Sequence, residues 1–344
     1  MASFSSTLLS WHETIQRELP WKDNPNVFHI WLSEIILQQT RVEQGIPYFL
    51  KFRNRFKTVK ELAECSDEEL MKLWEGLGYY SRARNLHKAA KLIHDSGGNF
   101  PDTYEGLKAL PGIGPYTAAA IGSFAYGLPV PVVDGNVNRV ISRIFGIREG
   151  IDTKEGKALI EKTVEQVFDK EKPAAFNQAI MDFGALFCKP KNSDCNSCVF
   201  NDDCYAFQNE MVSELPLKVK KIKKVNRSLN FAVISYRGKI LIKKRIGKDI
   251  WRHLHDFYEL TADGGINEED FSAIDYKLDG IQGPIKHVLT HQNLSITFHN
   301  YEAQKLILKN GTSYFLVERE NLRKFAFPKA FDWYFDKNSI YLKY

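Results

Sequence analysis

The sequence predicts a two-domain chain: helical through about residue 205, then a smaller α+β domain over 226–344, with a basic linker at 206–225. Three observations carry this. Helix-capping signatures recur through the first part of the chain. Four of the five cysteines fall within the 17 residues 188–204. Beyond them the texture changes to β-branched and aromatic runs separated by turn residues. A length of 344 residues fits two domains of roughly 100–200 residues each.

The helical part is marked by its beginnings. In SDEELMKLWEGLG, Ser66 is an N-cap with Glu69 three residues on, and Gly76 or Gly78 closes the helix. DTYEGLKAL repeats the pattern with Asp102 and Glu105, and DTKEGKALIEKTVEQVF with Asp152 and Glu155. LPLKVKKIKKVNR carries Lys218, Lys220, Lys221, Lys223 and Lys224 and reads as the linker or its edge. LNFAVISYRGKILIKKR reads as two strands around Arg237-Gly238. HVLTHQNLSITFHNYE and TSYFLVERE also have strand composition, and FPKAFDWYFD reads as a short terminal helix opened by Pro328.

A formal net charge of +5 and a pI near 8.7 fit a polyanionic partner. No window approaches the roughly 18 apolar residues of a membrane span. The N-terminal stretch lacks a basic segment followed by an apolar core. No membrane partner is expected, and a cytoplasmic location is.

The clustered cysteines, Cys188, Cys195, Cys198 and Cys204, are spaced C-x6-C-x2-C-x5-C. Without a secretory signal, such density favours a metal or cluster site over disulfides. Structural zinc commonly uses two C-x2-C knuckles. A single knuckle with long outer spacings weakens zinc, but spacing alone leaves zinc and an iron–sulfur cluster both open. Cys65 reads as a packed small hydrophobe.

In LPGIGPYTAAAIGSFAYGLPVPVVDGNV, Gly112 and Gly114 flank Ile113, and Pro115 suits the first turn of a helix. Amides exposed there can hold a phosphate, although the same residues also make an ordinary helix–helix turn. Alone, Asp134 reads as a turn or N-cap residue and Glu34 as a surface carboxylate.

LPGIGPYTA, an aspartate 20 residues beyond Gly114 and the four-cysteine loop together resemble the helix-hairpin-helix DNA glycosylase superfamily. Within it, WLSEIILQQTRVEQGIPYF (31–49) and LWEGLGYYSRARNLHKAA (73–90) are similar to the adenine DNA glycosylase, or MutY, family. The resemblance runs from about Trp11 to Cys204 and is much weaker beyond. It implies an all-α glycosylase domain over 1–205, with a [4Fe-4S] cluster held by the loop 188–204, and a Nudix-like domain over 226–344.

The activity implied is removal of a flipped-out adenine mispaired with 8-oxoguanine or guanine, leaving an abasic site in double-stranded DNA. Glu34 matches the family's acid, Asp134 the carboxylate that stabilises or transiently traps the sugar cation, and Asn136 a residue that positions the pair. Two carboxylates suit the reaction. Adenine leaves far more readily once protonated, and an oxocarbenium-like sugar needs a negative neighbour. Relatives that also cut the strand carry a lysine where Tyr116 stands, and that lysine forms a Schiff base. Tyrosine implies a glycosylase that leaves the strand intact.

Gln39 and Tyr79 match intercalating positions, and Arg17, Trp21 and Gln178 match the adenine pocket. Arg82, Arg84 and His87 could meet phosphates, or simply be solvated. The family's Phe-Ser-His loop for 8-oxoguanine corresponds to Leu289, Thr290 and His291, with leucine replacing the aromatic. The segment 251–260 matches loosely, without the family's proline. No complete Nudix box is present, which disfavours a pyrophosphatase. The resemblance implies a bacterial-type monomer, nucleoid-associated when working. The alternatives are a related glycosylase for another mismatched or damaged base, and a silent lesion-binding protein. Tyr116 and the second domain argue against the first, and the intact Glu34, Asp134 and Asn136 against the second.

Overall fold

Helices begin where a short polar side chain takes up the first free backbone N–H groups. Ser66 does so for Asp67–Trp74, accepting from Glu69 N at 3.1 Å. The two other capping boxes shift by one residue. Thr103, not Asp102, caps Tyr104–Lys108 through Gly106 N. Thr153, not Asp152, caps Lys154–Val167 through Gly156 N. Asp152 is drawn elsewhere: its carboxylate accepts from Val219 N and Lys220 N, tying the chain after the cysteines back to residues 150–152.

The computed structural model describes residues 3–22, 26–220, 223–261 and 263–339. It divides into two compact units, Met1–Glu64 with Arg84–Lys221, and Cys65–Ala83 with Ile222–Tyr344. Residues 65–83, helical in texture, thus group with the second unit. There Lys72 Nζ donates to Phe325 O, Phe327 N donates to Glu75, and Lys244 pairs with Glu68 at 2.6 Å.

The first unit is helical. Val27–Leu37 is apolar almost all round, with Phe28, Ile30, Trp31, Leu32, Ile35 and Ile36 buried. A helix of this kind belongs inside a protein. Pro115–Tyr126 starts with proline in its first turn and ends on Gly127 at φ 66°. Gly135–Phe145 starts on Asp134, and Pro173–Asp182 runs into a π-helical turn at Phe183–Phe187. Trp11, Val140, Ile141, Phe176, Ile180 and Phe183 belong to one core cluster. Burying each contributes about 1.5–3 kcal/mol.

The second unit is built on a seven-stranded sheet. Its strands are β1 (Val225–Tyr236), β2 (Lys239–Lys244), β3 (His255–Asp256), β4 (Tyr258–Glu259), β5 (Phe271–Val288), β6 (Gln292–Leu308) and β7 (Tyr314–Glu318). The order is β3-β2-β1-β6-β5, with β4 added to β1 and β7 to β2. Among the described strands β1 and β6 alone run parallel, from Val225 opposite Gln292 to Ser235 opposite Glu302. Arg237-Gly238 turns β1 into β2 with φ 51° and 77°, as a two-residue hairpin requires. The stretch 287–302, of strand composition, holds the end of β5, the turn Leu289, Thr290 and His291, and most of β6. Leu289 N donates to Gln292 O at 2.8 Å and closes the turn. Pro328 opens a 3₁₀ turn at Lys329–Phe331, and the terminal helix proper is Asp332–Lys337. Among the described residues no helix is long and apolar enough to cross a membrane.

Candidate active site

A cavity of about 740 Å³ opens in the first unit. Glu34 enters it from the helix Val27–Leu37, Tyr116 from Pro115–Tyr126, and Asp134 and Asn136 from the start of Gly135–Phe145. Arg17, Trp21 and Gln178 line the same cavity, as do Gly114 and Gln39. Residues far apart in sequence, matched separately to acid, stabiliser and base pocket, therefore share one space.

Glu34 is only 9% exposed. Burial drives its pKa up to about 7, against a hydrogen bond from Tyr116 that favours the ionised form, while Asp134 adds to the rise. Burial thus keeps this carboxyl able to hold a proton near neutral pH. Tyr116 is held well above its ordinary value by burial and by the charges of Glu34 and Asp134, so it stays a neutral donor. Its hydroxyl oxygen also lies 3.4 Å from Met181 Sδ.

Asp134 is both things that its sequence position allowed. It is the N-cap of Gly135–Phe145, accepting from Asn136 N and Val137 N at 2.8 Å each, and it faces the cavity. Burial holds its pKa above the ordinary value, although those backbone donors, the Asn136 side chain and the nearby Arg139 pull against the rise. The donors pre-arrange the site for a carboxylate. Asn136 Nδ2 donates to Asp134 Oδ2 at 2.9 Å, and Asn136 Oδ1 accepts from Arg139 at 2.8 Å. Arg139 also donates to the carbonyls of Gly184 and Cys188. A side chain on Gly184 would meet Asn136 Cβ at 2.6 Å, so only glycine allows this approach.

The hairpin glycines differ. Gly112 sits at φ 81°, and a Cβ there would strike Asn85 at 2.7 Å. Gly114 is extended at φ −89°, and a Cβ there would meet nothing within 4 Å. The fold makes no steric demand for glycine at 114, which leaves room for another backbone to approach the helix start. Gln38 fixes the hairpin by donating to Gly112 O at 3.2 Å and Thr117 Oγ1 at 3.1 Å. Gln39 follows at φ 56°, the left-handed third residue of a turn that Thr40 N closes by donating to Leu37 O at 3.0 Å.

Cys188, Cys195, Cys198 and Cys204 line a second, small cavity in the first unit, walled by Ile144, Phe183 and Phe187. Arg143 reaches it, with a nitrogen 3.5 Å from Cys188 Sγ and 2.7 Å from Lys189 O. Among the described residues, no three His, Cys, Asp or Glu are gathered as a single ion would require.

In the second unit Tyr79 is 46% exposed and left-handed at φ 47°. Its hydroxyl is 2.6 Å from Thr290 Oγ1, at the tip of the β5–β6 hairpin, with Leu289 and His291 on either side. Arg82 and His87 do not face solvent as phosphate ligands would. Arg82 donates to Leu77 O and Gly78 O and lies over Trp74, and His87 Nε2 pairs with Ala63 O.

Reading the sequence missed Arg139, Met181 and Asp182. Asp182 carried a signal: it stands four residues after Gln178 on a helix, a spacing at which Gln and Asp bond. Arg139 and Arg143, two cations on an apolar helix face, carried another.

Two family models match the chain. That of the HhH-GPD superfamily base excision DNA repair protein spans residues 32–166, and that of the NUDIX domain 230–337. The adenine DNA glycosylase of Buchnera aphidicola subsp. Schizaphis graminum is 38% identical over 256 residues, 74% of this chain and 74% of that protein. The adenine DNA glycosylase of Buchnera aphidicola subsp. Baizongia pistaciae is 35% identical over 299 residues, 85% of this chain and 84% of that protein. Among solved structures, a thermostable thymine-DNA glycosylase aligns with a TM-score of 0.54 and 29% identity, over 60% of this chain and 95% of its own.

Proposed function

Because the chain belongs to the adenine DNA glycosylase family, a helical HhH-GPD unit followed by a strand-rich Nudix-like one, we propose that it excises adenine mispaired with 8-oxoguanine or guanine and leaves an abasic site in an unbroken strand. The enzyme is a DNA glycosylase that hydrolyses N-glycosidic bonds. The observation that carries the finer reading is the meeting of Glu34, Asp134 and Tyr116 in one cavity large enough for a base.

A base inside a duplex is out of reach, so the adenine is flipped into the cavity. Arg17, Trp21 and Gln178 hold it. Glu34, whose raised pKa lets it hold a proton near pH 7, gives that proton to the departing base. Asp134, braced by Asn136 and by two backbone N–H groups, stabilises the sugar cation until water completes the reaction. Tyr116 supplies no amine, so no Schiff base forms. Gly112 and Gly114 bring the hairpin to a phosphate, with the helix start of Pro115–Tyr126 as the anion site. Gln39 and Tyr79 each serve as intercalating side chains, and Thr290, bonded to Tyr79, reads the opposite base with Leu289 and His291.

The four cysteines would hold a [4Fe-4S] cluster. The donor set is all thiol, it lines one apolar-walled cavity, and Arg143 supplies positive charge beside Cys188, which suits a buried anionic cluster. Ligation by the four thiolates would brace the loop 188–204.

Thymine removal from a mismatch is the second reading, supported by the likeness to the thymine-DNA glycosylase. That protein aligns with 60% of this chain over nearly its own whole length. A panel of duplexes carrying adenine opposite 8-oxoguanine, adenine opposite guanine, and thymine opposite guanine separates the two. The expected product is an alkali-labile site at adenine, most rapidly opposite 8-oxoguanine. Release of thymine instead would reverse the assignment.

A further inference from the structure

Asp182 has no side-chain exposure, and its carboxylate is enclosed by donors. Oδ2 lies 3.1 Å from His12 Nε2 and accepts from Gln178 Nε2 at 2.9 Å. Oδ1 pairs with Arg17, and Lys22 Nζ is 3.8 Å from Oδ2. Arg17, Gln178 and Asp182 all line the cavity that holds Glu34. Burial pushes the Asp182 pKa up, but the hydrogen bonds from His12 and Arg17 and the charges of Arg17 and Lys22 outweigh it, and the group is held below its ordinary value.

An ionised carboxylate only accepts hydrogen bonds. Facing one, the amide of Gln178 has a single satisfactory orientation, with Nε2 toward Asp182 and Oε1 away from it. Gln178 precedes Asp182 by one helical turn on Pro173–Asp182, so the backbone keeps the two in register.

We propose that Asp182 is a positioning residue that locks the Gln178 amide so that its Oε1 faces the cavity, giving the base pocket an acceptor that suits a 6-amino purine and rejects a 6-oxo purine. The inference rests on reading the cavity as the pocket of the released base. Adenine brings a donor in its 6-amino group. Guanine and hypoxanthine bring a carbonyl oxygen, and two acceptors then face each other without a proton. A site built around a polar partner rejects the analogue that lacks it, because buried groups are left unpaired. The selection matters here because a purine carrying a 6-oxo group occurs throughout normal DNA.

The test compares single-turnover release of adenine and of hypoxanthine, each opposite 8-oxoguanine, by the full chain and by D182N. Using the same two duplexes throughout cancels the intrinsic lability of each bond. An amide at 182 donates as well as accepts, so Gln178 is free to turn. The adenine-to-hypoxanthine ratio should fall roughly tenfold to a hundredfold. A ratio equal to that of the wild type, with both rates lowered together, would overturn the proposal and leave Asp182 a packing residue. Gln178→Leu removes the acceptor while keeping the Asp182–Arg17 pair, and it guards against D182N failing to fold. Its ratio should fall likewise, and an unchanged ratio overturns the proposal. If the wild type releases no adenine from any mispair, the functional reading itself fails and the proposal with it.

Discussion

Asn136 Nδ2 donates to the carboxylate of Asp134 at 2.9 Å, and its own Oδ1 is held by Arg139. The amide is thus fixed at both ends. Because Arg139 also donates to Cys188 O at 2.8 Å, a chain of hydrogen bonds runs from the candidate catalytic carboxylate to the first cysteine of the loop.

Removing one member leaves buried groups unpaired, a loss of roughly 1–3 kcal/mol. Asn136→Ala should therefore slow single-turnover adenine release roughly tenfold to a hundredfold, with DNA affinity little changed. Equal rates for the variant and the wild type would show that Asp134 needs no such support.

Glu34 gives a dependence on pH with a definite sign. Its pKa is raised by burial from 4.5 to about 7 in the folded chain. Below 4.5 both folded and unfolded states hold the proton. As pH rises from there to about 7 the folded state holds more, so stability falls, by roughly 3 kcal/mol in total. Glu34→Gln removes this loss. Thermal unfolding should find the variant more stable than the wild type at about pH 8, with the difference shrinking toward about pH 5. A difference that does not vary with pH would contradict the shift.

The proposed chemistry makes position 116 decide the fate of the strand. Wild-type product should stay uncut until alkali is added. Tyr116→Lys places an amine in the cavity beside Asp134, and borohydride should then trap a covalent protein–DNA complex. Trapping by the wild type itself would contradict the assignment of a pure glycosylase.

The cysteine loop makes its own prediction. The purified chain should absorb broadly in the visible and carry iron rather than zinc. Cys198→Ser should lower both absorbance and iron content. A stoichiometric zinc ion with no visible band would replace the cluster by a structural zinc site.

Much of the site was legible in the sequence, but by different routes. Asp134 announces a helix start, since its short carboxylate suits an N-cap, and the structure uses it so. Glu34 interrupts the apolar run FHIWLSEIIL, a local sign that a carboxylate is being buried. Its chemical role came only through resemblance, because a helical period does not say what faces a given side chain. The exact caps at Thr103 and Thr153 escaped, because Asp–Thr pairs offer two side chains for the same amides. The grouping of residues 65–83 with the second unit escaped for a different reason. It depends on contacts such as Glu75 with Phe327, which no local pattern encodes. The Tyr79–Thr290 bond joins residues 211 positions apart, and the donors around Asp182 come from three separate segments. Such pairings are settled by packing and become visible only in three dimensions.

The most direct test of the central claim is single-turnover adenine release from a duplex with adenine opposite 8-oxoguanine, comparing the wild type with Glu34→Gln and measuring DNA binding alongside. The expected result is free adenine and an abasic site from the wild type, and no release from the variant at retained binding. Release by the variant within a few-fold of the wild-type rate would take the proton transfer away from Glu34 and contradict the account.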